Sequence, residues 1–468
     1  MHSSPVFAAS SLCKPSPDGR YIASLNSSTL SVRSVESLRL VRVTRLGPGD
    51  GPISNLLWAP SSARVLVSTG LHIHVFSAAD ESYHASAHLS SSPAGKPAAV
   101  FFGIRDTEVL VVSILNFSIL DLTTSKIVEI SNCKFHQATT ANRGFSLRSE
   151  TGHLALLSRT GGKDLVSLHH PVTRQVSRSW IPDTVDAQGL IWTPDGRWLL
   201  LWDSPAHGHR LSVYTADGQH FRTVDASGLS FGHCSPSDKM LELGIKTCQL
   251  SPNAEMCAIG DFSRVVTLLD TQSWRQMMQL IHPSTIVPSD TVQVWQEQMM
   301  AVGDQRPDQA FLRARLSVAP PEPSKQTSAG CSLAAFDTGS TLLATRLDDW
   351  PSTTWIWDVA AGRLRAVLMS HSHVGFSWHP VRPQLLLISC QDESFVWEPL
   401  SKGPIPVKAG AQLPTSGRRK VSWINRQADF PELVIADAEN YVLASLSGTN
   451  PWQEDDDEPV DDTFFFKH

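Results

Sequence analysis

One phrase keeps returning in this chain, and it limits the available folds more than any other feature. An apolar run ends in a large apolar or aromatic residue. A small residue, Pro and a turn follow, and then a second apolar run. The phrase reads Leu56-Leu57-Trp58-Ala59-Pro60 before Val65-Leu66-Val67, and Leu190-Ile191-Trp192-Thr193-Pro194-Asp195-Gly196 before Trp198-Leu199-Leu200. It returns as Gln249-Leu250-Ser251-Pro252 before Cys257-Ala258-Ile259, and as Phe376-Ser377-Trp378-His379-Pro380 before Leu385-Leu386-Leu387. Degenerate self-similarity at about 40–50 residues is the mark of β-propeller blades, small sheets that bury their faces only against one another. The expected fold is therefore all-β: a single ring of seven to nine four-stranded blades, each running strand A, turn, strand B, turn, strand C, turn, strand D.

Strand A is expected to begin near positions 13, 53, 98, 143, 188, 246, 331, 374 and 421, which gives nine units. Two complete seven-bladed rings would need about 560–630 residues, more than the 468 present. The turn Ser16-Pro17-Asp18-Gly19 shows why the phrase closes a hairpin: Pro presets φ and Gly accepts a positive φ. The propeller should span 1–452. Within it, a Pro-rich surface excursion at about 283–330 carries one extra strand around Val292-Gln293-Val294-Trp295. The end, 453–468, holds the run Glu454-Asp455-Asp456-Asp457-Glu458 and reads as an acidic, disordered tail.

A net charge of −6 provides no basic field for gripping nucleic acid or an anionic membrane, so neither is expected as a direct partner. Gly417-Arg418-Arg419-Lys420 is the only basic cluster and reads as a solvated loop. Seven cysteines without a CxxC pair fit a reducing compartment better than a disulfide framework. The N-terminus has no positive n-region and no apolar run reaches bilayer length, so a cytosolic or nuclear protein is expected.

Motifs that carry chemistry mostly fail on context. Gly228-Leu229-Ser230-Phe231-Gly232 has the GxSxG form, but no helical pattern follows, so Ser230 lacks the strand–turn–helix elbow that activates such a serine. His72 and His74 share a strand face, and His169-His170, His207/His209 and His371/His373 form further pairs. None shows the third or fourth ligand that zinc requires. Gly47-Pro48-Gly49-Asp50-Gly51-Pro52 precedes a strand, so it offers no helix N-terminus to a phosphate. No catalytic residue, cofactor or metal is expected.

What remains is a surface for partners. In a four-stranded blade the B–C turns share one face. The turns at 203–209, 261–264, 346–353 and 391–393 are longer and more charged than hairpin closure requires. Trp350, inside Arg346-Leu347-Asp348-Asp349-Trp350-Pro351, falls outside the regular blade positions of Trp58, Trp192, Trp378 and Trp423. The expected partner-binding residues are Arg346, Asp348, Asp349, Trp350, Asp203, Asp261 and Arg264, with Trp350 as an exposed anchor.

Trp357-Asp358, closing a C strand after Trp355-Ile356, looks like a WD-repeat blade. Further residues narrow the likeness. They are Leu12-Cys13-Lys14 with Ser16-Pro17-Asp18-Gly19-Arg20-Tyr21, and Trp202-Asp203 with Leu211-Ser212-Val213-Tyr214 and Asp217-Gly218. Gly244-Ile245-Lys246 to Ser251-Pro252, Trp274, Ile281-His282-Pro283 and Leu343-Ala344-Thr345-Arg346 complete the set. Together these resemble the WD-repeat-protein-eight family of centrosomes and spindle poles, most strongly from Gly189 to Trp397. The resemblance implies a non-enzymatic scaffold. Its partners would be a coiled-coil microtubule-anchoring protein of the Msd/SSX-interacting type and, through that complex, a minus-end-directed kinesin. It implies a place in the cytoplasm and cytoskeleton, at the spindle pole body or microtubule-organising centre. The alternatives are an irregular-propeller translation factor that binds ribosomes, and a propeller hydrolase using Ser230.

Overall fold

The computed structural model describes residues 1–47, 51–81, 83–89, 97–113, 116–134, 144–225, 244–300, 308–321, 330–391, 393–408, 419–424, 432–446 and 452. Ser230, the acidic tail and residues 417–418 of the basic cluster lie outside them. The described residues form sheets that are antiparallel save for one pairing, and no α-helix, a nine-bladed β-propeller fold. They fall into two compact units. One joins 1–91 to 408–468 and holds blades nine, one and two, and the other spans 92–407 and holds blades three to eight.

Strand A begins at Cys13, Ile53, Pro97, Phe145, Ala187, Ile245, Cys331, Gly375 and Lys420 in blades one to nine, within two residues of every expected start. Blade five shows the shared pattern, with strands Ala187–Trp192, Trp198–Asp203, Arg210–Thr215 and His220–Asp225 paired in sequence order. Its B strand is apolar at successive positions because both sheet faces are buried. Leu199 and Leu201 enter the cluster shared with blade four, while Leu200 and Trp202 enter the cluster shared with blade six. Gly189 makes room for this arrangement: a Cβ there would stand 2.0 Å from the Trp202 ring.

The recurrent phrase also ties blades to each other. The Trp58 indole N–H donates to the Lys14 carbonyl at 2.9 Å, and that of Trp378 to the Ala335 carbonyl at 2.8 Å, sequence separations of 44 and 43 residues. Each step is one blade. The A–B turns repeat the theme. Ser16 Oγ donates to Asp18 Oδ1 at 2.6 Å and takes the Tyr21 N–H at 3.0 Å. Thr193 with Asp195 and Trp198, and Ser251 with Asn253 and Met256, do the same. The middle residue then donates its own N–H to the next blade, Asp18 to Ser62 Oγ at 3.0 Å and Asn253 to Ser340 Oγ at 3.2 Å.

Two features differ from the sequence reading. The excursion supplies two strands rather than one: Gln293–Met300 and Asp308–Arg313 form a hairpin, and the first pairs in parallel with Arg363–Met369, the outer strand of blade seven. Blade seven is thereby widened to six strands. The second feature is the extreme N-terminus. His2–Ser3 and Phe7–Ala8 both pair with the strand Asn440–Ser445, so blade nine is built from both ends of the chain. Phe7 packs on Tyr441 with ring centroids 5.3 Å apart, and the Arg33 guanidinium of blade one stacks 4.0 Å above Phe7.

Replacing Phe7 by Ala should therefore lower stability by about 3 kcal/mol in a denaturant titration. Trp58→Phe, which removes the inter-blade N–H together with part of the packed ring system, should cost about 1 kcal/mol or more. An unchanged midpoint for Phe7→Ala would mean that the terminal strands do not contribute to the folded sheet.

Candidate functional site

The B–C loops of blades six and seven gather most of the expected partner-binding residues, and local sequence explains how each is held. In blade six, strand Met256–Asp261 turns at Phe262-Ser263-Arg264 into Val265–Asp270. Asp261 closes that hairpin by accepting the Ser263 N–H at 2.7 Å and the Ser263 hydroxyl at 2.5 Å. Asp261 is buried, and burial pushes its carboxyl above the usual carboxylate range. In blade seven, strand Leu342–Leu347 passes through 348–352 into Thr353–Asp358.

Charged residues of these loops bind the neighbouring blade. Arg264 Nε donates to Asp349 Oδ2 at 2.8 Å, and its guanidinium lies 3.9 Å above the Trp350 ring. Lys246, at the start of blade six, forms an ion pair with Asp348, which also accepts the Ser332 hydroxyl. Arg346 Nη1 donates to the Val374 carbonyl at 2.6 Å, just before blade eight begins. These contacts join blade six to blade seven, and blade seven to the segment that leads into blade eight.

The expectation of an exposed Trp350 is overturned. Its exposure is 3%, it packs 5.7 Å from Trp355, and it belongs to the core cluster between blades six and seven. An indole in a polar turn has its place there because Arg264 covers one face and offers a charged lid to solvent. Arg264, with a side chain 39% exposed, is the part of this pair that reaches the surface. Asp203 and Asp261 are corrected as well. Asp203 is fully buried at the end of the blade-five B strand, where its carboxylate accepts the Val185 and Asp186 N–H groups at 3.1 and 3.0 Å. Burial raises its carboxyl against those two donors. Both aspartates hold loops, and Asp203 stands apart from the blade-six and blade-seven cluster.

Sequence reasoning missed the groups beneath the cluster. The Trp357 indole N–H donates to Thr345 Oγ1 at 3.0 Å, and Thr345 Oγ1 lies 2.8 Å from His282 Nε2. His282 Nδ1 lies 2.8 Å from the Arg264 carbonyl. Since that carbonyl can only accept, Nδ1 carries the proton and Nε2 accepts from the threonine hydroxyl, which is the neutral imidazole. Burial holds the His282 pKa down at about 4, and the nearby Arg264 charge acts in the same direction. The signal was present in Ile281-His282-Pro283, whose histidine falls just after a D strand, but its partner Thr345 lies 63 residues away. Among the described residues, no three His, Cys, Asp or Glu side chains converge as metal ligands.

The fold defines the class of protein: a β-propeller of degenerate blades, one of which ends its C strand in Trp357-Asp358. No protein-family model matches the chain. It is 27% identical over 438 residues to the mouse WD repeat-containing protein WRAP73, covering 87% of this chain and 88% of that protein. It is 25% identical over 493 residues to an uncharacterized WD repeat-containing protein of Schizosaccharomyces pombe, covering 97% and 92%. Among solved structures it is similar to one described as the crystal structure of the eukaryotic initiation factor. There the TM-score is 0.55 and the identity 9%, over 86% of this chain and 88% of the other, a likeness of fold alone. The two relatives support a WD-repeat protein, a class of generally non-enzymatic interaction scaffolds.

Two outcomes follow. Trp350→Ala should lower stability by about 3 kcal/mol or more, because it empties a core position. Arg264→Lys, which keeps a charge beside Asp349, should stay within about 1 kcal/mol and is the cleaner probe of partner binding. A Trp350→Ala variant that melts like the wild type would contradict the buried assignment. His282 adds a pH dependence. The folded protein binds this proton less readily than the unfolded chain, so the contribution is complete above about 6.5 and is lost as pH falls towards about 4. The loss is on the order of 3 kcal/mol, and His282→Asn should flatten that part of the stability profile.

Proposed function

We propose that this protein is a non-enzymatic adaptor of the spindle pole body or centrosome. It holds a coiled-coil microtubule-anchoring protein of the Msd/SSX-interacting type, and the complex tethers microtubule minus ends and recruits a minus-end-directed kinesin. The observation that carries this reading is the whole-length likeness to WD repeat-containing proteins, 87% and 97% of the chain in the two relatives. It is joined to the resemblance that runs from Gly189 to Trp397 through blades five to eight. The B–C loops of blades six and seven are held by contacts between those blades, and a surface fixed before binding loses little entropy when a partner docks. The net charge of −6 favours contact with acidic tubulin through the partner rather than directly.

The reading is tested by tagging the chain after His468 and recovering it from mitotic cells. A coiled-coil protein and a kinesin should co-purify in stoichiometric amounts, and the tagged protein should lie at the poles. Arg264→Lys should reduce recovery of the coiled-coil protein severalfold with little change in the melting curve. Recovery of ribosomal subunits in place of these partners would support the translation-factor alternative and sink the adaptor.

A further inference from the structure

The outer hairpin of blade two gathers four histidines. Its strand C, His72–Ser77, pairs with strand D, His84–His88, the outermost strand of the blade. Side chains alternate along a strand, so His72, His74 and Phe76 share one sheet face, and Ile73 and Val75 the other. The register sets His88 directly across from His72, and His84 across from Phe76, which puts all four imidazoles on the same face. His72 and His74 thus meet rings from the next strand, 16 and 10 residues further along the chain.

Two imidazole pairs result. His88 Nδ1 lies 3.2 Å from His72 Nε2, and His74 Nδ1 lies 3.2 Å from His84 Nε2. Their surroundings differ. In the second pair the rings are nearly parallel, 21° apart, and His84 stacks on Phe76 with centroids 4.6 Å apart. The Arg42 guanidinium of blade one lies 5.3 Å from that Phe76 ring and donates to the Ser77 and Asp80 carbonyls, so a fixed positive charge stands at this end. The first pair lies at the other end of the hairpin, away from the C–D turn, and its rings meet at 61° with centroids 4.9 Å apart. The backbone there is held from both strands. The His72 N–H donates to Thr69 Oγ1 at 2.9 Å, and the Leu89 N–H to the Leu71 carbonyl at 2.6 Å. His88 is exposed and His72 half-buried.

We infer that His72 Nε2 and His88 Nδ1 form a seat for a divalent transition ion, zinc or copper(II), whose remaining positions water completes. Imidazole nitrogens suit both ions. Two nitrogens about 2.1 Å from one ion and 3.2 Å from each other subtend about 100° at it, between the angles of square-planar and tetrahedral sites. Each ring then carries its proton on its other nitrogen, which a neutral imidazole does in one of its two tautomers. The strand ladder fixes both residues before an ion arrives, so binding orders little more than two side chains. With two protein ligands the seat is open, unlike a closed four-ligand structural zinc site, and it needs no third side chain.

The test uses the untagged full chain, stripped with a chelator and titrated calorimetrically at neutral pH with zinc, copper(II) and magnesium in turn. Zinc or copper(II) should bind saturably, and the tighter of the two names the ion. Magnesium, which prefers oxygen ligands, should not bind. His88→Gln and His72→Gln should each weaken binding at least tenfold, while His170→Gln, an exposed histidine of blade four, should leave it unchanged. With copper(II), electron paramagnetic resonance should show nitrogen coupling that His88→Gln removes. Should His72→Gln fail to melt like the wild type, the exposed His88→Gln carries the test alone. No saturable binding of either ion, binding unmoved in folded His88→Gln, or binding that follows His84→Gln instead would overturn the seat.

Discussion

A four-stranded sheet of apolar strands has two faces to hide and no means of hiding either alone. Everything else in this structure depends on that constraint. It makes strands such as Leu199-Leu200-Leu201-Trp202 apolar at successive positions, because alternate side chains enter two different interfaces. It also explains why polar contacts recur one blade apart. Apolar packing is non-directional and fixes no register between sheets. A hydrogen bond from Trp58 to Lys14, or from Asp18 to Ser62, does fix it.

The same constraint reorders the meaning of the charged loops. Arg346, Asp348, Asp349 and Arg264 read in the sequence as a surface addressed to a partner. In the structure each is engaged with the adjacent blade or with the start of the next. Buried or half-buried ion pairs add little net stability against the cost of desolvation, but they penalise misplacement strongly. Their contribution here is to align loops whose shape a partner would read. Beneath them, the neutral His282 couples Thr345 and Trp357 of blade seven to the Arg264 backbone of blade six.

The blades were legible in the sequence because their signal is local. Hydrophobic runs of strand length, Pro–Asp–Gly turns and a recurring tryptophan all lie within one repeat, and the strand A starts at Cys13, Ile53 and Cys331 could be read directly. What was not legible depends on distance. Phe7 meets Tyr441 across almost the whole chain. The excursion hairpin finds blade seven by parallel pairing with Arg363–Met369, a geometry that leaves no turn signal. Trp350 misled for a related reason. Its neighbours in sequence are polar, but its cover, Arg264, comes from another blade. The aspartates failed differently: Asp203 and Asp261 have the composition of a recognition loop and the geometry of a turn cap.

The mixed origin of blade nine sets an order of events during synthesis. Residues 2–8 leave the ribosome long before their sheet partner, Asn440–Ser445. At typical elongation rates the interval is on the order of half a minute to a minute and a half. Throughout it Phe7 has no Tyr441 to cover it, while Arg33 and the rest of blade one are already available. A short strand with an aromatic residue and no sheet is a substrate for chaperones and for other unpaired edges. The 2–8 segment therefore stays vulnerable until 440–445 has been translated.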